Sequence, residues 1–361
     1  MNIKGNLKYI ISGSLLFLLI YLFIAAIPIG PDLYFEPVWT RDLGTSAHTE
    51  ISELPTHALS DSEAFILGPR FGYFTPEGKI LANVETAGRA SASAHAWCAY
   101  TETPQSTTVY FTGEFPPITI QEEGFVYLND QRLYLFSPGG SCVSQYDRNG
   151  QKRWRREHNA PITAFNSSPA ATVIGYADGS ITYLDSDGNN VVSFSPGGSN
   201  RLVILGVGVS NDGTLISCVS GLSQQRYMLI RITGRQHKVL QHSYLSKDVN
   251  RQVYTGFDQK GHFAFFETGD GLVLMDTKKL ISHIVPLSGK VLSTGDGSLD
   301  KVFLVLSQVD TTYTLTAIEW PNHSVASTSF SGHNAFLIQR EHTFYLGLDN
   351  SISRFDIRGV Q

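Results

Sequence analysis

Apolar and polar residues alternate along most of the chain, and short apolar stretches end in tight turns at intervals of about 40 residues. Eight such turns can be located, at Gly78, Gly113, Gly150, Gly188, Gly234, Lys279, Asn322 and Gly359. Several have similar sequences, such as Tyr146-Asp-Arg-Asn-Gly150 and Leu184-Asp-Ser-Asp-Gly188. Alternation with a period of two residues is typical of strands, and Asp-Gly sequences favour the turns between them. The pattern therefore predicts eight repeats of short antiparallel strands.

The repeat between residues 162 and 194 shows the plan most clearly. Its four predicted strands are separated by short turns: Ile162–Phe165, Ala171–Tyr176, Ile181–Leu184 and Val191–Phe194. Four-stranded repeats at this period predict an all-β, eight-bladed β-propeller, with seven blades as the alternative. Repeats one and two, near residues 52–87 and 88–120, are less regular. Their outer strands, at Phe71–Phe74 and Thr108–Phe111, are clearer than their inner ones.

The last repeat supplies three predicted strands, at Phe336–Ile338, Phe344–Leu348 and Ile352–Phe355, and no fourth strand follows before Gln361. Near the other end, residues 37–43 read Pro-Val-Trp-Thr-Arg-Asp-Leu and resemble the outer strand at 151–156, with a Trp among charged residues. We therefore expect residues 37–43 to complete the last blade. Such a strand would join the two ends of the ring and remove exposed edges.

The first thirty residues differ from the rest. Lys4 and Lys8 precede an uncharged run over residues 9–30, whose centre contains Leu15, Leu16, Phe17, Leu18, Leu19 and Ile20. About 20 apolar residues span a bilayer as a helix, and flanking lysines mark the cytoplasmic side. The sequence predicts a cytoplasmic N-terminus and transmembrane signal anchor over 1–30, with a propeller over 31–361 outside the cytoplasm. A signal peptide cleaved near Ala25-Ala26 is the alternative.

Composition narrows the location and the partners. A formal net charge of −5 with 16% charged residues argues against nucleic acid as a partner. Cys98, Cys142 and Cys218 fall in predicted strands of three different repeats, which indicates buried small side chains and no disulfide framework. An extracytoplasmic domain without disulfides favours a bacterial cell envelope. We therefore expect a single-pass protein of the bacterial cytoplasmic membrane.

The segment from Tyr146 to Trp154, with Asp147, Gly150 and Trp154 at fixed spacing, resembles the blade motif of quinoprotein-like (PQQ-type) propellers; WD40-like propellers are the near alternative. The resemblance covers residues 37–361 at the level of the repeat pattern. It implies eight blades and either a quinone-dependent dehydrogenase or a non-catalytic scaffold, such as the BamB-like component of the outer-membrane protein assembly machinery.

The sequence departs from both branches of that family. The docking tryptophan recurs in most blades of the family, whereas this chain has only Trp39, Trp97, Trp154 and Trp320. It also lacks the vicinal cysteine pair of alcohol-oxidising members, and no cysteine near the apolar run could carry a lipid. The resemblance therefore favours a scaffold, although a shared fold is a weak guide to function.

Three short motifs could carry chemistry. Asp185-Ser-Asp187-Gly188 resembles the start of a calcium loop, but position twelve is Pro196, so a hairpin turn is the better interpretation. Ser210-Asn-Asp212-Gly213 resembles a sialidase-type turn but lacks the later aromatic residue, and the arginine cluster of those enzymes cannot be assigned, so a turn is the better interpretation. His237 and His242 are five residues apart, and strand alternation predicts that they point to opposite faces. The sequence assigns no catalytic, metal-binding or cofactor-binding residue.

The densest basic segment is Lys152, Arg153, Trp154, Arg155 and Arg156. Charges on an outer strand discourage edge-to-edge pairing, which explains the segment without a partner. The alternative is an interaction surface for anionic lipid or an acidic protein, with Trp154 as the anchor.

Together these features predict a non-catalytic scaffold anchored in the membrane, with another envelope protein as its partner. Two enzymatic alternatives remain. A PQQ-type quinoprotein dehydrogenase would bind the quinone, and a sugar-processing hydrolase would place acids and arginines at one end of the channel.

Overall fold

The computed structural model describes residues 12–21, 33–46, 61–102, 104–113, 115–129, 132–197, 199, 201–295, 299 and 302–359. Residues 12–21 form a helix, and the later elements are strands arranged in eight sheets. The predicted all-β, eight-bladed propeller is confirmed.

The strands follow one another blade by blade, except that β1 belongs to the last blade. The first strands are β1 (Tyr34–Asp42), β2 (Glu63–Leu67), β3 (Arg70–Phe74) and β4 (Ile80–Glu85), of which β2 to β4 form blade 1. Blade 2 contains β5 (Arg89–Ala92), β6 (Ala96–Tyr100), β7 (Thr107–Phe111) and β8 (Ile118–Ile120). Blade 3 contains β9 (Phe125–Leu128), β10 (Leu133–Phe136), β11 (Cys142–Tyr146) and β12 (Lys152–Glu157). Blade 4 contains β13 (Ile162–Ser167), β14 (Ala171–Tyr176), β15 (Ile181–Asp185) and β16 (Asn190–Phe194).

The remaining four-stranded blades repeat this order. Blade 5 contains β17 (Ile204–Val209), β18 (Leu215–Ser220), β19 (Arg226–Thr233) and β20 (Gln236–Tyr244). Blade 6 contains β21 (Thr255–Phe257), β22 (Phe263–Thr268), β23 (Gly271–Asp276) and β24 (Ile281–Pro286). Blade 7 contains β25 (Lys290–Thr294), β26 (Val302–Val309), β27 (Thr312–Glu319) and β28 (His323–Ser331). Blade 8 contains β29 (Ala335–Arg340), β30 (Thr343–Leu348), β31 (Ser351–Arg358) and, from the other end of the chain, β1.

The apolar core lies between the blades. Strands β14 and β18, the second strands of blades 4 and 5, are buried at every residue, whereas the outer strand β20 is mostly exposed. Val173 of blade 4 and Ile216 of blade 5 belong to the same buried cluster, and Val219 of blade 5 shares another with Phe266 of blade 6. Each sheet therefore buries both faces against its neighbours, which explains the continuous apolar runs in the middle strands.

Blade 8 is completed by the strand at the start of the ring. β1 pairs antiparallel with β31 from Tyr34 opposite Arg358 to Asp42 opposite Ser351, with a register shift between Pro37 and Trp39. The segment predicted from sequence, 37–43, overlaps this strand, which begins three residues earlier and ends one residue earlier. Proline is tolerated on an outer strand and at a bulge, because no ladder hydrogen bond needs its missing N–H.

Blade 1 has three strands among the described residues, and their directions identify them. The first residue of β2, Glu63, is ion-paired with Arg340 at the end of β29, whereas Gly68, just after β2, lies against Asn334, just before β29. β2 therefore runs antiparallel to β29, the innermost strand of blade 8. By direction, β2, β3 and β4 correspond to the second, third and fourth strands of the other blades. Phe71–Phe74 and Thr108–Phe111 accordingly belong to third strands.

Polar side chains on the first and second strands link successive blades. Ser91 Oγ accepts a hydrogen bond from Leu128 N at 2.9 Å, and Asn166 Oδ1 accepts one from Val209 N at 3.0 Å. The fully buried Glu267 accepts hydrogen bonds from the backbone N–H groups of Tyr254 and Val291, at 2.7 and 2.9 Å. These bonds satisfy backbone donors that no ladder partner reaches, and they fix the spacing of the inner strands.

The N-terminal helix covers residues 12–21 and includes the six apolar residues predicted as the centre of the anchor. Their side chains are 47–71% exposed. Within the part of the chain that the structure describes, no helix is long and apolar enough to cross a membrane. The rest of the predicted anchor, residues 1–11 and 22–30, lies outside the described residues.

Replacing Trp39 with alanine should lower the free energy of unfolding by about 2–4 kcal/mol, because its ring is part of the contact between blades 8 and 1. The centroid of its ring lies 6.1 Å from that of Phe74 and 6.0 Å from that of Tyr345. Its Nε1 donates a hydrogen bond to Pro76 O at 2.9 Å. Val38→Ala, at the 47% exposed neighbouring position, should change the stability by less than about 0.5 kcal/mol. Urea denaturation of the full chain in detergent measures both, and equal effects would count against closure by Trp39.

Candidate functional site

The basic segment Lys152 to Arg156, here called the β12 patch, is divided between the two faces of its strand. A register shift between Gln145 and Tyr146 places Lys152 opposite Tyr146 and Trp154 opposite Gln145. Lys152 is ion-paired with Glu122 at 2.6 Å, and Arg155 with Glu157 at 3.0 Å. These cations therefore have carboxylate partners on their own side of the blade.

The other members of the β12 patch face blade 4. Arg153 lies 3.7 Å from Asp187, and Arg156 Nη2 donates to Gly188 O at 3.1 Å. Trp154 Nε1 donates to Gln145 Oε1 at 2.7 Å. The structure therefore does not join the five residues into a single surface, and Trp154 and Arg156 hold blade 3 against blade 4. A binding role for the patch stays a prediction.

Trp154 packs directly on the turn of the next blade. Gly188 has φ of +83°, and a Cβ at this position would overlap the indole ring. Trp39 makes the equivalent contact with Gly78, which has φ of +87°, at the junction of blades 8 and 1. Each position needs glycine for two reasons: its backbone is left-handed, and the indole ring lies where a Cβ atom would be.

The two remaining tryptophans have different positions. Trp97 on β6 stacks on Tyr110 with ring centroids 4.2 Å apart, and Trp320 in a blade 7 turn packs against Phe263 at 5.0 Å. Tryptophan therefore docks on a neighbouring turn only from blades 3 and 8 among the described residues.

The Asp-Gly motifs form hairpin turns. Asp185 Oδ1 accepts hydrogen bonds from the N–H groups of Asp187 and Asn189, each at 2.9 Å, and Gly188 N donates back to Asp185 O at 3.1 Å. Partial burial opposes ionisation of Asp185, but the hydrogen bonds from Asn189 and the backbone outweigh it and lower its pKa. Asp212 is held in the same manner by Ser210 and Thr214. Both carboxylates are therefore occupied by their own turns.

The histidine pair is also separated, but for a different reason from the one expected. The ladder of β20 has a register shift at Leu240, so strand alternation is interrupted and His237 and His242 share a face. His237 lies opposite Ile232 and His242 opposite Met228, a separation of about 13 Å along the strand. That distance is too long for a shared metal ion. No group of three or more His, Cys, Asp or Glu suited to a metal ion occurs among the residues described.

A Ser–His–Asp cluster lies at the blade 4 rim. His158 Nε2 is 2.7 Å from Asp178 Oδ2 and 3.2 Å from Ser180 Oγ, and Ser180 Oγ donates to Asp178 Oδ1 at 2.6 Å. A catalytic relay needs the base to use opposite ring nitrogens for serine and carboxylate. Here one nitrogen faces both groups and the serine proton is given to aspartate. The cluster is therefore a hydrogen-bonded turn.

Two cavities open along the central channel. We call the face that carries the turns between third and fourth strands, such as Gly188, the upper face, and the opposite one the lower face. The upper cavity measures about 290 Å³ and is lined by Glu63, Arg340 and Gln339, together with small and aliphatic residues. Glu63 and Arg340 form an ion pair at 2.7 Å. Glu63 is the only acid among these lining residues, so the described part of the cavity wall provides no pair of carboxylates for glycoside hydrolysis.

The lower cavity is larger, about 480 Å³, and is lined by the inner strands of blades 3 to 6. Its wall contains the aromatic side chains of Phe125, Tyr127, Phe165 and Tyr254. Phe125 and Tyr127 are 43% and 41% exposed, and Tyr127 meets Phe165 edge-on at 5.9 Å. Gln252 reaches across from blade 6 to the carbonyl of Thr163 in blade 4. The lower mouth therefore offers exposed aromatic surface beside polar backbone.

No pattern in the sequence predicts this lower cavity. Its residues come from four separate repeats and share no local motif. The available signal was weak: Phe125 and Tyr127 are aromatic at positions i and i+2 of an inner strand, where the channel gives them open space.

The chain is similar to proteins already described. It matches a family model described as beta-propeller protein over residues 1–361. It is 39% identical, over 364 residues, to an uncharacterized protein of Treponema pallidum (strain Nichols), covering 100% of this chain and 97% of that protein. The chain therefore belongs to this beta-propeller protein family.

Two solved structures have a similar fold. BamB from Moraxella catarrhalis superposes with a TM-score of 0.58 and 12% identity, covering 90% of this chain and 100% of that one. A chain of the Mitotic Checkpoint Complex gives a TM-score of 0.50 and 9% identity, covering 91% of this chain and 94% of that one. At these identities the similarity shows the fold alone.

Asp185→Ala should lower the free energy of unfolding by about 1–2 kcal/mol at neutral pH, because the N–H groups of Asp187 and Asn189 lose their acceptor. Because the pKa of Asp185 is lowered in the folded state, its contribution is present above the unfolded pKa of about 3.9 and is lost as the pH falls through the folded value. The difference between wild type and variant should therefore shrink below about pH 4.

Asp187→Ala is the matched control, since this side chain is 70% exposed and its one ion pair among the described residues is long, at 3.7 Å. It should change the stability by less than about 0.5 kcal/mol. Urea denaturation at neutral and acidic pH measures both variants. Stabilisation of the wild type by Ca²⁺, abolished in both variants, would instead indicate a metal site.

Proposed function

We propose that this protein is a non-catalytic scaffold that binds a partner protein at the lower mouth of its channel. The observation that supports it is the aromatic wall at this mouth, where Phe125 and Tyr127 remain more than 40% exposed beside a cavity of about 480 Å³. Exposed aromatic side chains in a concave site are typical of binding anchors.

The chemistry of the lower mouth fits an extended segment of protein. Aromatic rings can bury one or two apolar side chains, and the starts of the inner strands present backbone groups at the rim. The similarity to BamB from Moraxella catarrhalis supports a scaffold by analogy of fold. The contacts of Trp39 with Gly78 and of Trp154 with Gly188 support membership of the PQQ-type superfamily within the propellers.

Because the PQQ-type superfamily also includes quinone-dependent dehydrogenases, that activity is the alternative function. A titration with pyrroloquinoline quinone, followed by absorbance, separates the two: a scaffold leaves the quinone spectrum unchanged, whereas a dehydrogenase binds it in stoichiometric amount.

We also propose that the protein is a single-pass protein of the bacterial cytoplasmic membrane, with its N-terminus in the cytoplasm and its propeller in the envelope. Leu15 to Ile20 are consecutive apolar residues exposed on all sides of a helix, a pattern that favours an apolar environment. β1 begins at the upper face, because Tyr34 pairs with Arg358 at the end of β31. An anchor before β1 would therefore leave the lower mouth directed away from the bilayer.

A photo-crosslinking residue in place of Tyr127 should capture one defined protein in intact cells, because the lower mouth binds its partner. The same residue in place of Tyr244 is the matched control, since Tyr244 is 56% exposed on the outer strand of blade 5. Mass spectrometry of the adducts identifies the captured protein. Adducts of equal yield and composition at both positions would contradict binding at the lower mouth.

Leu16→Arg combined with Leu19→Arg should release the protein from membranes in carbonate extraction, since each charge costs about 2.5–3.5 kcal/mol at the centre of a spanning helix. Tyr34→Arg, an equally exposed apolar position beyond the run, should leave the extraction unchanged. A wild-type protein that carbonate removes from the membrane would refute the anchor.

A further inference from the structure

A second basic surface lies on the upper face of blades 5 and 6. It is formed by three turns and the start of one outer strand, and its cationic members are Arg235, Lys238, Lys260, Lys278 and Lys279. We call it the basic rim. All five side chains belong to exposed residues, and none has a carboxylate within 4.0 Å among the described residues.

Contacts between the turns hold these residues together. Lys278 Nζ lies 3.3 Å from His262 Nε2, and Thr277 Oγ1 donates to Gly261 O at 2.8 Å, so the two upper turns of blade 6 touch. The blade 6 turn also packs on blade 5, since Leu280 and Leu240 border the same buried cluster. The cations are therefore neighbours in space, although they are up to 44 positions apart in sequence.

The acids near the basic rim are fewer than its cations and are held within their own turns. Asp276 Oδ1 accepts the backbone N–H groups of Lys278 and Lys279 at 2.9 and 2.8 Å, and Asp212 is held by Ser210 and Thr214. Asp258 is 4% exposed, and burial raises its pKa. Five cations therefore outnumber the three turn carboxylates nearby, in a chain whose net charge is −5.

The position of the basic rim indicates which kind of surface it contacts. It lies on the upper face, where β1 begins at Tyr34. Three residues connect the end of the apolar run at Gly30 with Tyr34, and they span at most about 14 Å. Tyr34 is 58% exposed at this edge, as is typical of aromatic residues at a membrane interface. The upper face would therefore lie against the bilayer.

We propose that the basic rim binds the anionic lipid headgroups of the membrane that carries the anchor. The surface consists of three turns and the start of β20, and four of its five cations are lysines, which act as mobile point charges. Such a surface suits the diffuse negative potential of a bilayer. Binding would hold the propeller with its upper face on the membrane and its lower mouth outward. This inference rests on the proposed anchoring.

The test measures the distance of each face from the lipid. Gln259→Cys on the basic rim and Thr311→Cys on the lower face are labelled with a fluorophore, since Cys98, Cys142 and Cys218 are buried. The full chain is reconstituted into phosphatidylcholine bilayers with and without phosphatidylglycerol, and quenching by spin-labelled lipid is recorded. Quenching at 259 should exceed that at 311 at least about tenfold with phosphatidylglycerol, and should fall at high salt.

Charge reversal provides the matched comparison. Lys260→Glu, Lys278→Glu and Lys279→Glu together should abolish the excess quenching at 259, whereas Arg201→Glu, Lys247→Glu and Lys290→Glu change the net charge equally on the lower face and should preserve it.

The outcomes separate this inference from the anchor. A carbonate-resistant protein with equal quenching at 259 and 311 overturns the rim proposal and retains the anchor. Salt-sensitive quenching at 259 in a protein that carbonate extracts supports the rim and refutes the anchor. A rim residue that cross-links to a protein in cells, and is not quenched in anionic bilayers, shows a protein surface and overturns the proposal.

Discussion

The ring depends on the pairing of β1 with β31, because this pairing joins the two ends of the chain in one blade. Without β1, the outer edge of blade 8 would be exposed, and the contacts of Trp39 and Arg41 with the Gly78 turn of blade 1 would be lost. Arg354 of β31 donates to Pro76 O at 2.9 Å and strengthens the same junction. One strand therefore closes both a sheet and the ring.

The blade junctions show two ways of joining sheets. Apolar clusters fill the space between middle strands, and their burial supplies most of the stabilisation. Directional contacts then fix the spacing between blades. Trp154 packs on Gly188 near the outside of the ring, and the Glu267 carboxylate accepts hydrogen bonds from backbone N–H groups near the channel. Arg153 and Arg156 of β12 belong to this second group, which gives them a structural reason to be present.

The two faces of the propeller differ in chemistry. The lower mouth exposes Phe125 and Tyr127 beside the largest of the channel cavities described, whereas the upper face carries the basic rim and the start of β1. A scaffold attached through its upper face would present the aromatic mouth to a partner. This division agrees with both proposals and explains why no single compact motif records the function.

The sequence by itself determined the blade number, the strand order and the use of residues near 37–43 as an outer strand, because strand alternation and turn residues are local properties. It also indicated that Asp185 is a turn residue, since one carboxylate with nearby N–H groups needs no distant partner. The tertiary structure decided which side chains meet. A one-residue shift at Tyr146 divides the β12 patch, and the shift at Leu240 puts His237 and His242 on one face. The lower cavity and the basic rim are built from separate repeats, so they exist only once the blades are packed in a ring, because that packing sets distances between residues that the chain keeps far apart.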